Sequence, residues 1–233
     1  MNPNCSIKAP FFEIGPKSYL YGDDILALAK AADKASERYQ VDIIFTTPFV
    51  DISRVKAATR NIHVFAPHMD CLRPGRGLAD ILPESLMAVG AEGVMLNHTE
   101  KQISVHILKE TMQRAEELGM STIVCADSIA EASLIAQMNP DIIVAEPSEL
   151  IGTDTTSGPE YAQAAIRAVK DVNPNILVLL AAGISNGQDV YYTIFSGADA
   201  TGSSSGIAKA ANREAMVDEM VSAVRRAWDA RSN

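Results

Sequence analysis

Apolar residues along this chain gather in short, nearly continuous runs. The clearest are "FFEIG" (11–15), "VDIIFTTP" (41–48), "NIHVFAP" (61–67), "GVMLNH" (93–98), "STIVCAD" (121–127), "DIIVAEP" (141–147) and "NILVLLAAG" (175–183), with a weaker "ADATGSS" at 198–204. Brief β-branched runs bounded by polar or turn residues read as strands buried on both faces. After nearly every run the pattern changes to helical spacing. In the last such stretch Met216, Met220, Val224 and Trp228 recur every four residues, an apolar stripe expected to pack on the core. Eight strand–helix units leave two architectures, a closed barrel or an open doubly wound sheet. The open dinucleotide-binding form places G-x-G-x-x-G after its first strand, and "FFEIGPKSYLYG" lacks it. The pattern therefore predicts a (β/α)8 barrel. No Ser/Gly-rich linker or charge block divides the chain, so one domain over 1–233 is expected.

Composition narrows the partners. A formal net charge of −9 argues against nucleic acid, so an anionic ligand would need a local site built from backbone N–H groups or a few lysines. Cys5, Cys71 and Cys125 are odd in number and form no CxxC, which suits a reduced, cytoplasmic setting. The start, "MNPNCSIKAP", has no signal-peptide pattern and no apolar run reaches membrane-spanning length, so no membrane partner is expected.

In a barrel the chemistry collects where strands end and βα loops begin. The first strand exits at Gly15-Pro16-Lys17, the third at Ala66-Pro67-His68, the fourth in "VMLNHTEK" at Asn97-His98-Thr99-Glu100, and the sixth at Glu146-Pro147. Singly, each has a plain explanation: a solvated lysine, a structural histidine, a carboxylate with a partner. Together they would bring Lys17, His98 and Glu146 to one mouth. Burying a carboxylate without a partner costs several kcal/mol, which makes Glu146 hardest to explain structurally. The last two loops, "LAAGISNGQDV" and "TGSSSGIAKAA", supply Gly183, Ser185, Ser204, Ser205 and Gly206, small residues that let backbone N–H groups approach an anion.

These segments resemble the triosephosphate isomerase family, especially its short archaeal form, over nearly the whole chain. "LNHTEK" resembles the family's histidine-bearing fourth strand and "VAEPSELIGT" its catalytic-glutamate and lid segment. "GPKSY" is similar to its asparagine-x-lysine motif, "IVCADS" to its fifth strand, and "AAGIS" and "SSSG" to its phosphate loops. The resemblance implies a cofactor-free and metal-free aldose–ketose isomerase acting on a small phosphorylated sugar. Glu146 would be the base, His98 the electrophile and Lys17 the positive charge beside the reacting oxygen, with Glu100 orienting Lys17. Residues 147–154 would be a lid, with Gly152 donating its N–H to phosphate. The family also implies a homo-oligomer, a dimer or tetramer.

Two positions depart from the family pattern. Gly15 stands where the family has asparagine, and Leu78 where it typically has a threonine that reaches a neighbouring subunit. An alternative register would set "SIK" (6–8) at the motif and make Lys8 the equivalent of Lys17. Losing both partners of one contact suggests an enlarged pocket, and hence a larger substrate such as a tetrulose phosphate. His68 and Arg73 could add polar contacts there. A non-catalytic sugar-phosphate binder is the alternative of another class, though a binder has no use for a poised base.

Overall fold

The computed structural model describes residues 7–147, 158–181 and 183–231. Eight parallel strands follow one another around a closed barrel: β1 Phe11–Ile14, β2 Asp42–Thr46, β3 Ile62–Ala66, β4 Gly93–Leu96, β5 Ser121–Ala126, β6 Ile142–Ala145, β7 Leu177–Leu180 and β8 Ala200–Ser203. Pairing of Phe11–Ile14 with Ala200–Ser203 closes the ring and removes any free sheet edge. The helices among the described residues are α1 Asp23–Tyr39, α2 Ile52–Ala58, α3 Pro83–Ala88, α4 Val105–Leu118, α5 Ile129–Ala136, α6 Pro159–Lys170, α7 Gly187–Phe195, α8 Ser205–Ala208 and α9 Arg213–Arg231.

All eight predicted strands are present, each shorter than its apolar run. The exit residues leave the ladder. Asn97, for example, takes φ +58°, a left-handed conformation that ends β4 at Leu96.

Side chains alternate across each strand and so divide the core in two. Inward residues such as Phe11, Ile44, Phe65, Ile123, Ile142, Val144 and Leu179 fill the barrel. Outward ones such as Phe12, Ile14, Val64, Leu96 and Val124 pack beneath the helices. The stripe on α9 is corrected in detail. Its buried face is Val217, Met220, Val221, Val224 and Ala227, while Met216 and Trp228 are only partly buried. A strict four-residue step drifts about 40° per step around a helix of 3.6 residues per turn, so its ends slide off the core face.

Candidate active site

The strand ends open onto a cavity of about 970 Å³, lined by residues of most βα loops, among them Lys17, His98, Glu100, Glu146, Gly183, Ser185, Ser204, Ser205 and Gly206. Nearly every site residue expected from the sequence thus meets at one mouth. Gly152 and 148–154 of the expected lid lie outside the described residues.

Lys17 follows β1 with φ +48°. An L-residue held there costs about 1–2 kcal/mol, strain that persists only where the surroundings fix it. Its Nζ lies 3.3 Å from Glu100 Oε1, which joins the exits of β1 and β4. Lys8 precedes β1 at the opposite end of the barrel, where its side chain is exposed and its N–H donates to Asp42 at 2.8 Å. The geometry therefore puts Lys17, not Lys8, at the mouth.

Asn97 sets the exit of β4. Its Nδ2 donates to the Cys125 carbonyl at 3.0 Å and to Glu131 at 3.1 Å, and its Oδ1 accepts from the Ile103 N–H at 3.2 Å. Next to it His98 Nδ1 accepts the Glu100 N–H at 3.1 Å. With Nδ1 accepting, the network assigns the proton of a neutral ring to Nε2. Burial lowers the His98 pKa, the Lys17 charge lowers it further, and Glu100 partly opposes both. The imidazole is thus held neutral, as a hydrogen-bond donor. Glu146 sits one residue past β6 and continues the ladder, donating its N–H to Ala126 at 3.0 Å, with its half-buried side chain in the cavity wall.

Across the mouth the last two loops are tied together. Ser203 Oγ donates to the Ile184 carbonyl at 2.8 Å. Position 206 has to be glycine, because a Cβ there would lie 2.7 Å from the Ile184 oxygen and from Ser203 Oγ. Ser185 lines the cavity, but its N–H and its hydroxyl both donate to Asp189, at 2.9 and 2.8 Å. Lys209, missed in the sequence, adds a cation to this wall, its Nζ 5.3 Å from the centre of the Tyr19 ring. Its position in "SSSGIAK", one helical turn past the small residues, was the available signal.

The expected enlargement beside Gly15 is corrected. The space is taken by the carboxyl of Glu13, two residues earlier on the inward face of β1. A Cβ at position 15 would lie 2.9 Å from Glu13 Oε1, and one at Gly202 3.1 Å from Oε2. The reason for expecting a longer sugar therefore disappears. Glu13 escaped notice although "FFEIG" shows a charge inside an apolar run, the same signal that drew attention to Glu146. Of the loop-3 residues, His68 lines the cavity with Nε2 3.3 Å from Asp70, whereas Arg73 points to α4 and pairs with Glu117 at 2.7 Å. Leu78 is fully exposed and is not among the cavity-lining residues.

Fold and mouth together describe a (β/α)8 barrel enzyme with its polar groups gathered at the strand ends. The family model described as triosephosphate isomerase matches residues 17–222. A triosephosphate isomerase of Methanocaldococcus jannaschii is 36% identical over 203 residues, covering 86% of this chain and 92% of the relative. Those of Sulfurisphaera tokodaii and Methanobacterium bryantii are 34% and 32% identical, over 92% and 93% of this chain and 95% and 98% of their own lengths. The chain belongs to the triosephosphate isomerase family and is an aldose–ketose isomerase of that kind.

Proposed function

We propose that the chain interconverts the aldose and ketose forms of a three-carbon sugar phosphate, glyceraldehyde 3-phosphate and dihydroxyacetone phosphate. The observation that carries this reading is the meeting of Lys17, a neutral His98 and Glu146 in one cavity facing the Gly/Ser loops. Glu146 takes the carbon-bound proton of the substrate as general base and returns it to the neighbouring carbon. His98 donates from Nε2 to the oxygen on which negative charge develops, and its neutral state lets it do so without first losing a proton. Lys17, held by Glu100, supplies positive charge beside that oxygen. The N–H groups of Gly183, Ser204, Ser205 and Gly206, with Lys209 behind them, receive the phosphate. Gly152 is assigned to the same phosphate on the family pattern alone. Ser185 acts indirectly, because Asp189 already accepts both of its donors.

Free Cys71 and Cys125 suit work in the cytoplasm, and no helix among the described residues is long and apolar enough to cross a membrane. The working form is proposed to be a homo-oligomer. Exposed apolar residues on the first three βα loops, Tyr21, Val50 and Leu78, support that reading.

The test is a coupled assay of triose phosphate interconversion on the parent protein and on Glu146→Gln. The parent should turn over, and the variant should lose about 10²–10⁴ in kcat while its affinity for a phosphorylated ligand stays within roughly tenfold. A variant that turns over near the parental rate refutes the assignment of the base.

A further inference from the structure

Glu13 is a charged residue on an inward position of β1, lining the cavity, that the expected chemistry leaves unused. It is 7% exposed and sits between β2 and β8, paired in register with Ile44 and Gly202. Room for its carboxyl is provided on both sides by residues that lack a Cβ, Gly15 and Gly202. Yet within this space its Oε1 has no hydrogen-bond partner, nor has the neighbouring Thr46 Oγ1. An unsatisfied buried polar atom is costly, and here only the nearby Thr46 hydroxyl and the Lys17 cation ease the cost. The open side of the carboxyl is the cavity.

The charges around it decide its form. Burial pushes the Glu13 pKa up to about 7, the Thr46 hydroxyl and the Lys17 cation pull it down, and Glu146 pushes it up again. From β5 the buried Cys125 thiol faces the same interior, and burial and the two carboxylates raise its pKa so that it stays neutral. Below neutrality Glu13 therefore carries an O–H donor at the cavity wall, with only the Thr46 hydroxyl beside it. Above neutrality it becomes a further negative charge, beside Glu146, in a cavity that must accept an anion.

We propose that Glu13 is a substrate-contacting residue, whose protonated carboxyl donates a hydrogen bond to an oxygen on one of the two reacting carbons of the sugar phosphate. This rests on the isomerase reading above. Aldose–ketose interconversion exchanges carbonyl and hydroxyl character between oxygens on adjacent carbons, and both gain negative charge in the enediolate. His98 donates to one of them. Glu13, rising from the floor beside Gly15, donates to the other or shares the first. Its proton stays on the carboxyl throughout, so Glu13 stabilises charge and exchanges nothing. Ionised Glu13 would repel the substrate and compete for Lys17, which makes the protonated form the productive one. Bound substrate therefore favours the protonated carboxyl, and binding above pH 7 takes up a proton.

Two measurements test this on the full chain. The first is the pH profile of kcat/KM for the parent, Glu13→Gln and Glu13→Met. The parent should fall as pH rises through about 7. Glu13→Gln should cost about two- to fivefold at pH 6, because the amide still donates, and should lack that fall. Glu13→Met should cost about 10- to 100-fold at pH 6, the loss of one donor to developing charge. The second is titration calorimetry with glycerol 3-phosphate at pH 7.5 in buffers of different ionisation heat. The parent should take up roughly half a proton more than Glu13→Gln. This readout needs no turnover, so it judges Glu13 even if the parent fails to isomerise triose phosphates and the broader reading falls. If Glu13→Gln keeps both the parental pH profile and the parental proton uptake, the proposal is overturned, whether or not Glu13→Met folds. Failure of the parent to bind glycerol 3-phosphate at millimolar concentration overturns it as well.

Discussion

At the scale of single residues, two strained or costly placements mark the mouth of the barrel: the left-handed Lys17 and the buried Glu13. Their energies point in the direction expected of a working site, since neither placement helps the fold. For Glu13 the consequence can be measured without substrate. Its folded pKa of about 7 lies above the usual carboxylate value of 4.5, so between those values the folded chain holds a proton that the unfolded chain has released. Stability contributed by the protonated form is thus present below pH 4.5 and lost as pH rises through 7. Above that the ionised carboxyl costs up to about 3 kcal/mol. Denaturant unfolding should accordingly find Glu13→Gln close to the parent at pH 4.5 and more stable than the parent at pH 8. Equal stability differences at the two pH values would mean that Glu13 titrates normally.

At the scale of elements, the long connection from β3 to α3 is held against α4, with Arg114 as the buried member of the contact. Buried Arg114 donates through Nε to the Leu72 carbonyl at 3.4 Å and pairs with Glu84 of α3 at 2.5 Å and with Glu117 of its own helix. Asp70 fastens the other end of the loop, exchanging two hydrogen bonds with Ile81, through its backbone N–H at 3.0 Å and its side chain at 2.7 Å. Both Asp70 and Ile81 line the cavity, so Arg114 braces one wall of the site from behind. Arg114→Ala should cost about 2 kcal/mol, because a buried donor to several acceptors is lost while Glu84 and Glu117 stay accessible enough to hydrate. Urea denaturation checks this, and a cost below about 0.5 kcal/mol would show that the loop holds without the arginine.

At the scale of the whole molecule, the mouth of the barrel carries apolar residues that are exposed among the described residues. Leu78 is 103% exposed and Val50 and Tyr21 are each 84% exposed, on loops from three successive strands. Isolated exposed leucines are ordinary, but several large side chains on adjoining loops suit an interface between copies. Sedimentation velocity should find the parent as a dimer or tetramer and Leu78→Asp shifted toward smaller species. A monomeric parent would remove the interface and leave Leu78 as a solvent-exposed loop residue.

What the sequence determined by itself was everything written in local periodicity. The eight strands, the barrel they imply, and the exits bearing Lys17, His98, Glu100 and Glu146 could all be read from short continuous apolar runs and the polar residues that end them. Strand direction and the right-handed crossover then force those exits to one end of the barrel. Tertiary structure alone decided what depends on distances between strands far apart in the chain. The sequence shows Gly15 as a gap, and only closure of β1 against β8 shows that Glu13 occupies it, between Gly15 and Gly202. It likewise shows Ser185 as a free donor, whereas the fold sets it on Asp189. Spacing along the chain reports which face a side chain takes, because the backbone repeats regularly. It does not report which neighbour fills the space, because that is fixed by packing between strands that meet only when the barrel closes.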